Sequence, residues 1–265
     1  MSSTLRALTW ISLTLALAVG VGACGSSSTS SGTGPVTVLM GTPPESLDPG
    51  LGATTQSYEA TWITYTGLLT YAHAAGEAGA KLIPGVAESL PVVSKDGKTY
   101  TFTLRKGLVY SNGAPVKASD FAYTVKRTIK LGWGNKEMLT ENIVGGEAFD
   151  QGKASSISGI QTDDTTGKIT IKLVAPYGPF ANVLAFPAVG LVPGGTPMKS
   201  LTNNPPPGVG PYEITNVVPN KSFALVRNPH FSNSTIPGVP TGHVNVDVKI
   251  VSNNQSEAEQ VLGNT

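Results

Sequence analysis

The sequence predicts an α/β fold that leans towards strands and is rich in turns. Three observations carry this. Over Thr99–Lys130 a two-residue alternation gives way to a four-residue one, so a strand is followed by a helix. Over Ile157–Val174, Ile169, Ile171 and Leu173 alternate with Thr170 and Lys172 around the Asp163–Gly167 turn, which predicts a hairpin. Finally, 31 Gly and 20 Pro among 265 residues, with 40% hydrophobic and 13% charged residues, describe a turn-dense chain too apolar to stay unfolded.

Taken in order, the chain opens with Arg6 ahead of an apolar run, Leu8–Val21, closed by Val21-Gly22-Ala23-Cys24. Residues 1–23 have the layout of a cleaved signal peptide. Their end resembles the bacterial lipobox, which would leave Cys24 as a lipid-bearing N-terminus; an uncleaved anchor helix is the other reading. Either one puts the body of the protein outside the cytoplasm. Residues 24–34 continue as a Ser/Gly linker of the kind that behaves as flexible coil.

Val36–Met40 reads as a first buried strand, followed by Ser46-Leu47-Asp48-Pro49, where Leu47 is expected inside and Asp48 fixes the turn. Gln56–Tyr71 reads as a helix, and Asp96-Gly97 as a turn before the strand Thr99–Leu104. In that strand Tyr100, Phe102 and Leu104 share a face. Ser111-Asn112-Gly113 supplies a turn, Pro115 follows, and Ser119 or Asp120 is the expected cap of a helix whose Phe121, Val125 and Ile129 form one apolar stripe. Strands are expected again at Glu213–Val218, Ser222–Arg227 and Val244–Val251, and a helix begins within Ser256–Leu262.

Composition also excludes functions. A net charge of +1 gives no general attraction for nucleic acid. His73, His230 and His243 share no ligand spacing, so no metal or other cofactor is expected. Asp163-Asp164 sit in a turn and read as solvated, not as an acid–base pair. Thr166-Gly167-Lys168 lacks the leading glycine and the following Ser/Thr of a phosphate loop. With no Gly-x-Ser-x-Gly, no His-Glu-x-x-His and one cysteine spent on lipid, the chain does not read as an enzyme.

The run from Phe102 to Asp120 resembles the signature of the bacterial extracellular solute-binding proteins of family 5, the peptide- and nickel-type receptors of ABC importers. Phe102, Leu104, Arg105, Gly107, Asn112, Gly113, Pro115, Val116, Ala118 and Asp120 match, and Tyr110 stands where Phe or Trp is usual. Ser46–Pro49, then Tyr65, Gly67, Leu68 and Leu69, then Gly210-Pro211-Tyr212 and Arg227-Asn228-Pro229 are further matches in the family's order. The resemblance implies a type II periplasmic-binding-protein-like main lobe, residues 35–62 and 176–265, interrupted by a strand-rich subdomain at 63–175. It also implies that a second lobe would begin where this sequence ends. Such a receptor binds a peptide or other small solute and delivers it to an ABC permease, without chemistry. A truncated, surface-anchored interaction module is the alternative. By position, Gly52, Ala53, Thr54 and Thr55 become candidate ligand contacts, their small side chains and amides suiting a peptide backbone. Trp133 has two roles open to it: reaching over a ligand, or packing within its own lobe.

Overall fold

A computed structural model of the protein describes residues 34–253, 261 and 263. Cys24, the linker and most of the Ser256–Leu262 segment lie outside the described residues.

The described chain begins with β1 (Val36–Met40), the Ser46–Pro49 turn and α1 (Thr55–Thr61), then β2 (Leu69–Tyr71) and β3 (Leu82–Pro84). β4 (Val92–Val93) and β5 (Thr99–Thr103) lead to the long helix α2 (Ala118–Leu131), followed by α3 (Glu137–Thr140) and α4 (Gly146–Asp150). The hairpin β6 (Ile160–Asp163) and β7 (Lys168–Lys172), the short α5 (Phe180–Val183) and the strands β8 (Tyr212–Val218), β9 (Ser222–Arg227) and β10 (Val246–Ile250) complete it.

Among the described residues three sheets form. A mixed one has the order β1-β10-β9-β8, with β1 parallel to β10 from Val36↔Val246 to Met40↔Ile250 and the other pairs antiparallel. An antiparallel one has the order β4-β5-β7-β6, and β2 pairs with β3 alone. Alternation explains the second sheet: Tyr100 and Phe102 of β5 face Ile171 and Ile169 of β7, all four buried. Phe121, Val125 and Ile129 of α2 complete that core, as their spacing requires.

The described residues form two apolar cores. The larger draws mainly on residues 68–191, and the smaller on Met40, Leu47, Ala60, Tyr65, Val192, Ile214, Phe223, Leu225 and Val248. Between them the chain passes very close to itself. A Cβ on Gly210 would stand 2.5 Å from the carbonyl oxygen of Ile63, so only glycine fits there. Asn228 then locks the same crossing, donating from Nδ2 to the Gly210 carbonyl (2.8 Å) and from its backbone N–H to that of Pro211 (2.9 Å).

Several local expectations need correcting. The helix expected over Gln56–Tyr71 ends at Thr61. Thr61 and Thr64 turn their hydroxyls back onto the carbonyls of Ser57 and Ala60, and Gly67 packs against the Leu184 backbone, so Leu69–Tyr71 leaves as a strand. Helix α2 opens one residue before the expected caps. Asp120 is three residues inside, its carboxylate accepting from the Lys117 N–H (2.8 Å), the Tyr110 hydroxyl (2.9 Å) and the Gly194 N–H (2.9 Å). Ser119 is held from outside by Asp164, which accepts its N–H (2.7 Å) and hydroxyl (2.8 Å). Asp164 is therefore an acidic partner of the α2 N-terminus, where a negative charge is favourable, and not merely a solvated turn residue. Asp163 is the true turn residue, accepting from Thr165 and Thr166, which lowers its pKa.

Candidate functional site

The Ser46–Pro49 turn and the loop after it are fixed by three sets of bonds. Asp48 and Arg127 form a fully buried bidentate pair, Nη1–Oδ1 2.7 Å and Nη2–Oδ2 2.6 Å. The other Asp48 acceptor sites take the N–H groups of Gly50 (3.0 Å) and Leu201 (2.8 Å). Arg127 completes its own set with the carbonyls of Pro197 (2.9 Å) and Lys199 (3.0 Å). Every charge buried here thus has its partner, the condition for burying it at all. Ser57 ties the turn to α1, accepting the Ser46 N–H at 3.1 Å, and the hydroxyls of Ser46 and Thr202 are in close hydrogen-bond contact.

The candidate contacts lie directly beyond. Gly52 is buried; its N–H donates to the Asp48 carbonyl (3.2 Å), and a Cβ there would meet Ser57 Cβ at 2.7 Å. Ala53 is half-buried and its N–H donates to Glu45 Oε2 (3.0 Å). Thr54 and Thr55 are exposed, and Thr54 caps α1 through its hydroxyl, which accepts the Ser57 N–H at 3.4 Å. The expectation of freely offered amides therefore narrows. Gly52 and Ala53 spend their N–H groups inside the loop, leaving Thr54 and Thr55 as its outward-facing residues.

Trp133 is brought to this loop but turned inward. It is 1% exposed, its indole N–H donates to the Gly52 carbonyl (3.2 Å), and its ring meets Phe186 edge-on at 5.5 Å. Of its two open roles the structure has packing within the lobe. A residue this buried presents no face to a ligand, so the contact expectation is replaced by that of a support beneath the loop.

Beside Trp133 the surface hollows into an apolar cavity of about 240 Å³, lined by Tyr58, Trp62, Tyr71, Asn182, Ala185, Phe186 and Pro187. Tyr58 and Phe186 are 5.8 Å apart. The Tyr58 hydroxyl is shut off from solvent without a well-formed hydrogen bond, and burial raises its pKa. His73 packs against Trp62 with ring centres 4.1 Å apart and planes tilted by 46°, and burial holds its pKa down to about 4, so it is neutral at pH 7. No motif pointed to these aromatics. Tyr58 lies one helical turn from Thr54, which was a usable hint; nothing local flagged Phe186, 132 positions beyond Thr54.

A second, polar cavity of about 340 Å³ lies elsewhere, among Glu88, Arg105, Lys106, His230, Ser234 and neighbours. Arg105 there donates from Nε to the Gly85 carbonyl at 2.9 Å. In the Arg227-Asn228-Pro229 motif the buried residue is Asn228, while Arg227 is exposed. Among the described residues no group of three or more His, Cys, Asp or Glu is placed to hold a metal ion.

Comparison with known proteins agrees with this geometry. The dipeptide-binding protein DppE of Bacillus subtilis is 33% identical over 152 residues, covering 55% of this chain and 27% of its own. The oligopeptide-binding protein OppA of the same organism is 37% identical over 150 residues, 55% of this chain and 26% of its own. Among solved structures, clavulanic acid biosynthesis oligopeptide binding protein 2 superposes with a TM-score of 0.75 at 24% identity, covering 87% of this chain and 43% of that one. Listeria monocytogenes OppA bound to peptide gives 0.73 at 20% identity, covering 88% and 46%. The structural likenesses establish a periplasmic-binding-protein-like α/β fold. The chain spans about a quarter to two fifths of the length of the curated relatives it matches and under half of the solved structures. Residues 81–261 match the family described as bacterial extracellular solute-binding proteins, family 5 (middle), and the chain belongs to that family.

Proposed function

We propose that this chain is the ligand-facing lobe of a peptide receptor, held by lipid on Cys24 at the outer face of the cytoplasmic membrane and delivering peptides to an ABC permease. The observation that carries the peptide reading is the Asp48–Thr55 loop. Its buried end is immobilised by Arg127, Ser57 and Trp133, while Thr54 and Thr55 face outward with side chains too small to block a peptide backbone. A preformed loop loses little entropy on binding, so main-chain hydrogen bonds at Thr54 and Thr55 would translate into affinity. The relatives' names, dipeptide-binding and oligopeptide-binding, favour peptides over other solutes. Part of the same proposal is a division into a main lobe, 35–62 with 176–265, and an inserted subdomain, 63–175. It is supported by the smaller apolar core, which apart from Tyr65 lies within 35–62 and 176–265, with Asp48–Arg127 as a buried tie across the boundary; the larger core runs across residue 176 to take in Phe180, Leu184 and Leu191. Membrane attachment rests on the Val21–Cys24 sequence alone.

The test is to purify the protein from its own membranes with detergent, denature it in acid and analyse the released small molecules by mass spectrometry. Short peptides in near-equimolar amount, with diacylglyceryl mass on Cys24, are expected. Release of a non-peptide solute, or an unmodified protein in the aqueous fraction, would overturn the corresponding half of the proposal.

A further inference from the structure

We infer that the aromatic cavity beside the loop is a side-chain subsite that selects an aromatic or large aliphatic residue of the bound peptide and rejects a charged one. This rests on the peptide reading above and goes beyond it by naming the class of side chain. Size comes first. At about 240 Å³ the cavity is below the range of a whole small-molecule site, roughly 300–1,000 Å³, yet larger than the roughly 150 Å³ void that accepts benzene. It therefore fits one large side chain.

Chemistry narrows the occupant. Tyr58, Trp62, Phe186, Ala185 and Pro187 present apolar surface, and no residue lining the cavity is charged. At the rim the Tyr71 hydroxyl donates to Asn182 Oδ1 at 2.9 Å, and the one other hydroxyl of the lining, that of Tyr58, is uncharged. His73, behind Trp62, carries no charge at neutral pH. A carboxylate or ammonium entering here would lose its hydration and meet no counter-charge, whereas a phenyl ring would meet ring edges and faces.

Position ties the cavity to the loop. Tyr58 stands on α1 one turn beyond Thr54, and Phe186 packs on Trp133, whose indole bonds the Gly52 carbonyl. A peptide lying along Thr54 and Thr55 thus has the cavity as its neighbouring hollow.

The experiment compares the tripeptides Ala-Phe-Ala, Ala-Ala-Ala and Ala-Asp-Ala by titration into the full chain, followed by NMR shifts of the Ala185 methyl and the Thr54 and Thr55 amides. Ala-Phe-Ala is expected to bind at least about tenfold tighter than Ala-Ala-Ala and to move both sets of signals, with Ala-Asp-Ala weakest. Asn182→Asp, an exposed rim change that puts a carboxylate at the mouth, is expected to erase the Phe preference; an undiminished preference in this variant would overturn the subsite. Equal affinity for all three peptides at Thr54 and Thr55 would overturn the subsite and leave the peptide reading standing. Binding by none of them, with toluene alone moving Ala185, would overturn the peptide reading and the subsite with it. A Phe preference that depends on protein concentration would assign the cavity to a contact between two copies and also overturn it.

Discussion

Removing Arg127 gives the sharpest test of how the loop is held. In an Arg127→Met variant the aliphatic stem is kept, but Asp48, fully buried, retains only the N–H groups of Gly50 and Leu201. The carbonyls of Pro197 and Lys199 lose their donor as well. Breaking one side of a buried pair costs about 3–5 kcal/mol because the partner's charge is left uncompensated. For a folded unit of this size that corresponds to a fall in Tm of roughly 6–20 °C. The double variant Asp48→Leu/Arg127→Met removes both charges and should recover much of the loss, since a buried ion pair and an apolar pair of similar volume are often close in stability. Urea unfolding of the wild type, both single variants and the double variant gives the coupling directly. A single-variant loss under about 1 kcal/mol, the value of an exposed ion pair, would refute the claim that this pair braces the Ser46–Pro49 turn.

Two further outcomes follow from neighbouring groups. Trp133→Phe keeps a ring against Phe186 but removes the donor to the Gly52 carbonyl. It should cost about 0.5–1.5 kcal/mol and speed amide exchange at Gly52–Thr55, whereas Trp133→Ala should cost about 3–5 kcal/mol. Unchanged exchange in Trp133→Phe would remove its supporting role. His73 has a folded pKa near 4, below the ordinary value near 6.5, so the unfolded chain binds more protons between those values. Its contribution is complete above about pH 6.5 and fades as pH falls towards 4, by about 1–2 kcal/mol once partial exposure is allowed for. His73→Gln should flatten that part of the stability–pH curve; an unchanged slope would show that His73 is not its source.

The fold was legible where a segment's periodicity and its burial have one cause. β1 and β9 span the residues expected of them, although β1, expected to be buried, is exposed over Val36–Val38 and buries only Met40, and the α2 stripe of Phe121, Val125 and Ile129 is buried as spaced. Legibility failed where distant chain decides a local outcome. Gln56–Tyr71 has a helix-compatible pattern, but Gly67 sits against the Leu184 backbone and Leu69–Tyr71 is claimed by β3. The candidate loop was found because a motif preceded it, yet which of its amides are spent depends on Glu45 and on the Asp48–Gly52 turn. Trp133 between two glycines left two roles open; what settles its burial, the Gly52 carbonyl and Phe186, is far away in sequence. The Arg127 partner of Asp48, 79 positions on, left no local trace.

The measurement that bears most directly on the central claim is an NMR titration of the full chain with tri-alanine at millimolar concentration. Shifts concentrated at the Thr54 and Thr55 amides, with Gly52 and Ala53 moving little because their N–H groups are already bonded within the loop, are the expected result. Shifts confined to the polar cavity around Arg105 and His230, with Thr54 and Thr55 still, would contradict the account.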